Sequence, residues 1–269
     1  MAARPTPSAS ARASISGPGR EPAVLPDRPV RLQKFLADRG VAARRRCEDH
    51  IRAGRVTVNG EVARVGDSVN PESDRVELDG RPIQGRTPRT VLVLNKPRGY
   101  LCACRRGREV GRLVTELVPV TTRLFPVGRL DRDSEGLLLL TDDGELANRL
   151  GHPGFGKEKE YEVELDRRPA PGVASRLVAG VELEDGPARA VRARDLGDRV
   201  MSVVLTQGRK RQVRRMYRAL GYRVTRLVRV RVAGLGLGNL RPGEWRRLDA
   251  DEVRSRLVDA GRPGTGRRS

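Results

Sequence analysis

Residues 128–144, GRLDRDSEGLLLLTDDG, constrain this chain more than any other stretch. Leu137 to Leu140 form an unbroken apolar run that belongs in a buried strand. Just ahead of it, Arg129, Asp131, Arg132, Asp133 and Glu135 fall within seven positions. Charges that dense beside a buried run cannot all point inward, so some must line a cleft or reach solvent. A carboxylate at such a strand-to-turn junction is kept ionised by neighbouring arginines. It is then competent as a nucleophile or base. These residues alone leave alternatives open. Two carboxylates in one cleft suit a glycosidase pair, and a salt-bridged loop at a domain edge is the plain alternative. Asp142 and Asp143 read as caps for a following helix rather than as metal ligands.

Charge narrows the partner. The 269 residues hold 54 Lys and Arg against 34 Asp and Glu, a formal net charge of +20. A chain this basic calls for a polyanion, most commonly nucleic acid. Arg dominates, and its planar fork pairs with phosphate through two hydrogen bonds. Aromatic residues make up only 3%, so stacking on bases must rest on very few rings. The same scarcity disfavours a glycoside hydrolase, which needs aromatic platforms for sugars. No apolar run reaches the roughly 18 residues of a membrane span, and the N-terminus lacks the apolar core of a signal peptide. Cys47, Cys102 and Cys104 are odd in number and badly spaced for disulfides or for a zinc site. Free thiols in a reducing cytoplasm are expected. His50 and His152 have no partner cluster, so neither a metal nor a cofactor is expected.

The chain reads as five stretches. Residues 1–28, rich in Pro, Ala, Ser, Arg and Gly, form a disordered basic tail, and 257–269 form another. Residues 29–84 form a small domain. Leu32, Phe35 and Leu36 mark one helical face, ended by Gly40. A second helix over Arg44 to Ala53 buries Cys47 and Ile51. Asn59-Gly60 is a hairpin signal, and Asp79-Gly80 offers another turn. Residues 85–89 are a linker, and 90–256 form the larger domain. There, VLVL ending at Pro97 starts a series of strands, and Val213, Met216, Tyr217 and Leu220 mark a helix closed by Gly221. Many strands with few helices give an α+β class built on a mixed, mostly antiparallel sheet.

Two resemblances sharpen this outline. RLQKFLADRGVAARRRCEDHIRAGRVTVNG resembles the alpha-L RNA-binding motif of the small-subunit ribosomal protein four. That likeness implies that Arg31, Lys34, Arg44, Arg45, Arg46 and Arg52 grip structured RNA. Ala43 stands where family members often carry a capping Ser, a loss of about 1 kcal/mol of helix stability. GRLDRDSEGLLLLT in turn resembles the signature of the pseudouridine synthases of the RsuA/RluB group. NKPRGY at 95–100, KEYEV at 159–163 and GRKRQVRRM at 208–216 agree with it in order and spacing.

The resemblance implies that Asp131 is the essential catalytic residue. It implies that Arg129 displaces the target base, Tyr161 stacks on the flipped uracil and Arg214 pairs with Asp131. Asn95, Lys96 and Pro97 match a block that shapes the site. An enzyme acting on a base inside folded RNA must extract it from the stack, and these residue types suit that task. On the expected helix, Arg214 faces away from Met216 and Leu220 and reaches the cleft only at the helix edge.

The implied activity isomerises uridine in ribosomal RNA, free or within a pre-ribosomal particle, by a cytoplasmic monomer. GRKRQVRRM and TRLVRVRV place the chain nearer the RluB type, acting on large-subunit RNA, than the small-subunit RsuA type. A ribosome-assembly factor that binds RNA without catalysis is the alternative of another class. About 170 residues after the small domain, with the full signature, speak against it.

The basic face of the small domain generates the first prediction. A shortened protein beginning near Arg89 should bind ribosomal RNA more weakly and with a shallower salt dependence, because fewer counterions are displaced. Titrations across a salt series test this; an unchanged slope would refute it.

Overall fold

The computed structural model describes residues 29–83, 89–103, 111–120 and 122–260. The expected tail at 1–28, residues 261–269 of the tail expected at 257–269, most of the linker and Cys104 lie outside them. The described residues divide into two compact units. One comprises 29–35 with 44–83, the other 36–43 with 89–260.

In the small unit, β1 (Val30–Arg31) leads directly into α1 (Leu32–Asp38), and α2 spans Arg44–Arg52. Leu32, Phe35, Cys47 and Ile51 are buried, as the helical spacing requires. The strands β2 (Val56–Val58), β3 (Glu61–Val62), β4 (Ser68–Val69), β5 (Val76–Leu78) and β6 (Arg81–Pro82) follow. Four of them form an antiparallel sheet in the order β3-β2-β5-β6, and β4 pairs with β1. Asn59 and Gly60, and again Asp79 and Gly80, have positive φ at both turn positions. That geometry matches the twist of a two-residue hairpin, which is why these two dipeptides could be read as turns.

The larger unit opens with β7 (Val91–Lys96), buried at every position and ended by Pro97. Short strands β8 (Tyr100–Leu101) and β9 (Arg112–Leu113) pair in parallel beside it in the chain. Then come β10 (Phe125–Val127), β11 (Glu135–Thr141) and α3 (Gly144–Gly151). After β12 (Lys159–Leu165) and α4 (Val173–Ala179), the hairpin β13 (Arg192–Gly197) and β14 (Val200–Leu205) leads to α5 (Gln212–Ala219). The chain then runs through β15 (Val224–Val232), β16 (Leu235–Gly236) and β17 (Trp245–Arg247).

The main sheet has the order β13-β14-β12-β15-β11-β7-β17, with β10 on β11 and β16 on β15. The β11–β15 pair is parallel, while its other pairs are antiparallel. The expected α+β class with a mixed, mostly antiparallel sheet is what the chain forms.

The four leucines of β11 are all buried because both faces of the sheet are covered. Leu138 and Leu140 join the core that includes Val213, Met216 and Tyr217 of α5 and Leu177 of α4. Leu137 and Leu139 point the other way, into a core with Leu146 and Leu150 of α3. A period of two between two apolar layers reads as an unbroken apolar run.

Two expectations need correction. Asp143 caps α3, its Oδ1 accepting from the Glu145 and Leu146 amides. Asp142 does not cap; its Oδ1 accepts from Thr90 N at 2.9 Å and anchors the start of β7. The ordered chain also passes residue 256. A last helical segment, Val253–Val258, buries Leu257 completely in the α3-side core. Lys157 Nζ donates to the carbonyls of Val258 and Ala260 at 2.8 and 2.6 Å. Polar residues around one leucine concealed that anchor.

Gly136 is where the parallel pair is tightest. Its φ is +102°, and a Cβ there would lie 2.3 Å from the Arg229 carbonyl oxygen. Gly136→Ala should cost roughly 3 kcal/mol or more through strain and backbone displacement. Urea unfolding of the variant checks this; a change below about 1 kcal/mol would contradict it.

Candidate active site

The charged turn 131–134 sits at the head of β11, on the rim of the sheet face that α5 covers. The Ser134 amide donates to the Asp131 carbonyl at 3.0 Å and closes the turn. From inside, the fully buried Lys96 donates Nζ to the carbonyls of Ser134 and Pro97 at 2.7 and 3.1 Å. Burial lowers its pKa, and Cys102, Asp133, Glu135 and Asp131 pull it back up. Lys96 therefore supports the turn, in keeping with the shaping role its block implied.

The three carboxylates of the turn have different surroundings. Asp133 accepts from Arg211 NH1 and NH2, both at 2.9 Å. Arg214 Nε faces its other side at 3.4 Å, in ion-pair range without hydrogen-bond alignment. The hydrogen bond from Arg211 holds the Asp133 carboxyl below its ordinary pKa, against a smaller opposing effect of burial. Glu135 is buried and takes Arg226 in a fork, with contacts of 3.0 to 3.4 Å, and Arg98 Nε at 3.3 Å. Asp131 differs from both. Its side chain is 35% exposed, and its ion pair with Arg211 is a loose 3.9 Å contact.

Arg214, expected to pair with Asp131, is held elsewhere. Its NH1 donates to the Val224 carbonyl at 3.0 Å and its NH2 to the Asp133 carbonyl at 2.9 Å. With a side chain only 10% exposed, it is clamped between β15 and the turn. Its charge still acts on Asp131, and Asp131's on it. The helix-edge position was the right expectation for reach, but the hydrogen-bonded partner is Asp133.

Arg211, which the sequence did not single out, bridges Asp131 and Asp133. It caps α5 in a left-handed conformation, φ +51° and ψ +33°. For a residue with a Cβ this costs about 1 kcal/mol or more, and such strain gathers at functional sites. The only signal in the sequence was its place inside GRKRQVRRM.

A row of side chains crosses the sheet beneath the turn. Lys96 pairs in register with Gly136, Gly136 with Arg229, Arg229 with Tyr161 and Tyr161 with Val203. Registered neighbours share a face, and this is the face of the α5-covered core, which contains Tyr161 and Leu130. Cys102 lies against the same core, and its Sγ accepts from the Leu130 amide at 3.3 Å. Burial raises the Cys102 pKa, opposed by that bond and by Lys96, Arg229 and Arg129. Arg129 itself is exposed in the turn before Leu130. Asp131, Arg129, Arg214 and Tyr161 thus belong to one rim, with Tyr161 set deeper than the others.

The opposite face carries a shallow groove of about 310 Å³ beside Glu160, Arg192, Arg194 and Arg231. Its arginines are paired with Glu158 and Glu160. Among the described residues, no group of three His, Cys, Asp or Glu is placed to hold a metal. No helix among them is long and apolar enough to cross a membrane.

In the small unit, Arg44, Arg45 and Arg46 are exposed along α2, and Lys34 is half-buried. Arg52 pairs with Asp49 at 2.8 Å and reaches Glu48 at 3.5 Å. Arg31 donates to the Gly66 carbonyl. The RNA-facing role expected of Arg31 and Arg52 therefore competes with bonds inside the unit.

An arginine-ringed carboxylate on the rim of a mixed sheet, in one chain with a basic helical unit, defines an RNA-modifying enzyme. The comparisons with known proteins specify which. Residues 30–83 match the S4 domain and 90–219 match RNA pseudouridylate synthase. An RNA pseudouridine synthase of Aquifex aeolicus (strain VF5) is 42% identical over 230 residues, covering 83% of this chain and 92% of that one. The dual-specificity RNA pseudouridine synthase RluF of Escherichia coli (strain K12) is 35% identical over 232 residues, covering 86% and 79%. A crystal structure of a pseudouridylate synthase superposes with a TM-score of 0.62 at 29% identity, covering 85% of this chain and all of that one. The chain belongs to the RNA pseudouridine synthase family, isomerases of RNA with an S4 domain in front.

The Asp133 latch generates a pH prediction. A carboxyl with a lowered folded pKa stabilises the fold above its unfolded pKa and loses that contribution as pH falls through the folded value. Asp133→Asn should cost roughly 1 kcal/mol at pH 7, a figure discounted for the pair's exposure. The gap should close in strong acid. Urea unfolding of both proteins at several pH values checks it; a gap independent of pH would show that the charge is not responsible.

Proposed function

We propose that this chain converts a specific uridine of ribosomal RNA to pseudouridine, with Asp131 as the group that acts on the ribose. The observation that carries this is the unequal commitment of the three carboxylates. Asp133 and Glu135 are tied up by close guanidinium pairs, while Asp131 is half-exposed with one loose contact. A nucleophile must be reachable and not consumed by a close partner, and of the three Asp131 is the one so placed. It either attacks the ribose or removes a ribose proton. Tyr161 offers the flat face for the extracted base, Arg129 takes the base's place in the helix, and Arg214 and Arg211 hold the turn in position.

The exposed Arg44, Arg45 and Arg46 supply phosphate contacts that position the RNA. Large-subunit RNA is the favoured substrate on the RluB-like wording of GRKRQVRRM and TRLVRVRV. The likeness to dual-specificity RluF favours a second reading, in which more than one RNA is modified. The enzyme acts as a cytoplasmic monomer on free RNA or on a pre-ribosomal particle, and it needs no metal or cofactor.

Asp131→Asn keeps shape and removes charge. Turnover should fall by several orders of magnitude, with RNA affinity nearly unchanged. Release of the hydrogen on uracil carbon 5 is the assay, since isomerisation leaves mass unaltered. Asp133→Asn should lose far less. A folded Asp131→Asn protein that releases this hydrogen at close to the parental rate would sink the assignment.

A further inference from the structure

Arg229 is 3% exposed, yet among the described residues no carboxylate lies within ion-pair distance of it. Its Nε donates to the Leu137 carbonyl at 2.7 Å, and among the described residues no acceptor takes its two terminal amino groups. Lys159, also buried, lies near enough to repel it; its Nζ donates only to the Lys157 carbonyl at 3.0 Å. The fold thus keeps two buried cations side by side without an acid. Buried charges are ordinarily paired, because the penalty of burying them alone is severe. Arginines elsewhere in this unit obey that rule: Arg226 has Glu135, and Arg231 has Glu158 and Glu160.

The location of the exception is informative. Arg229 stands in register with Tyr161 on one side and with Gly136 on the other, on the core face below the Asp131 turn. Gly136 contributes no side chain and the Arg229 backbone closes against it, so Tyr161 is the registered neighbour whose side chain shares this face with Arg229. Its two terminal amino groups, without an acceptor among the described residues, are thus carried in the row next to the ring expected to carry the base.

We propose that Arg229 is a further catalytic residue, whose terminal amino groups donate to the carbonyl oxygens of the extracted uracil and stabilise it as it leaves the ribose. The step needs such a group. The bond between N1 and C1′ breaks with its electron pair departing on the uracil. The negative charge spreads from N1 onto the carbonyl oxygens. The ribose is meanwhile held as an Asp131 adduct or as the product of losing a ribose proton, which returns later. Carbon 5 then bonds to C1′ and gives up its proton to solvent while N1 takes a proton from solvent, so atoms and charge balance. A preorganised cation in a dry site stabilises developing anionic charge far better than water does. Lys159, its pKa lowered to about 8 by burial and by Arg229, adds to the positive potential. The inference rests on the proposed placement of the reaction at Asp131.

The test uses the full chain with Arg229→Gln and Arg229→Lys. Gln is neutral and keeps a donor for the Leu137 carbonyl. Single-turnover release of the carbon 5 hydrogen should fall about a hundredfold in the Gln variant, the scale of losing one oxyanion donor. Lys should recover at least a tenfold part of that loss. RNA affinity should stay within about twofold in both, because phosphate contacts dominate it. The melting temperature should hold or rise, since an unpaired buried charge is removed. Turnover of the Gln variant within about threefold of the parent would overturn the idea, with the hundredfold expectation resting on the same donor effect. So would equal losses in Gln and Lys, or a Gln variant that fails to fold, since the buried charge would then be a strut. Asp131→Asn is run alongside. Activity retained there refutes the Asp131 reading, whatever Arg229 does.

Discussion

The pairing of Asp133 with Arg211 and Arg214 is the constraint on which the site depends. It joins the turn at the head of β11 to the start of α5, two elements about eighty residues apart in sequence. The turn has no regular structure of its own to hold it. It is fixed from outside by these guanidinium groups and from below by Lys96, whose ammonium donates to the Ser134 carbonyl of the turn and to that of Pro97. The Asp133 pair is partly exposed, so its contribution to stability is modest. Its larger effect is geometric: a bidentate fork fixes both distance and orientation. Arg211 is kept in a left-handed conformation at the same point, so the fold accepts local strain to put a guanidinium between two carboxylates.

From that pairing follows a division of labour. Three acids lie within five residues, and two are consumed in holding structure. Asp133 binds α5, and Glu135 binds Arg226 and Arg98 at the sheet rim. That leaves the third with one loose contact. Beneath them the balance reverses, with Lys96, Arg229 and Lys159 buried and, among the described residues, no acid paired with the last two. A positive interior under an anionic rim suits a reaction in which a carboxylate meets the sugar and the departing base carries negative charge.

Much of this was legible in the chain. The leucine run had to be a strand between two apolar layers, since no other element buries four successive leucines so cheaply in length. Asn59-Gly60 and Asp79-Gly80 had to turn, because few other residue pairs tolerate positive φ twice. The blocks around Asp131, Tyr161 and Arg214 pointed to the family and to one site. Less legible were the partners. Arg214 and Arg211 are three positions apart on one helix, and nothing local says which carboxylate each will meet. Leu257, one apolar residue in a polar tail, became an anchor only because the opposite sheet face offered it a core.

The sequence by itself determined the class of fold, the two-part organisation, the RNA partner and the family. Those follow from periodicity, turn chemistry, charge and motif wording, which are properties of neighbours along the chain. The tertiary structure decided which acids enter close guanidinium pairs and which does not, and it placed Arg229 in a row with Gly136 and Tyr161. Those outcomes depend on strand register and on the parallel β11–β15 pairing, which join residues some ninety positions apart. A one-residue slip would send Arg229 to the other face, and no local pattern in the chain sets that register.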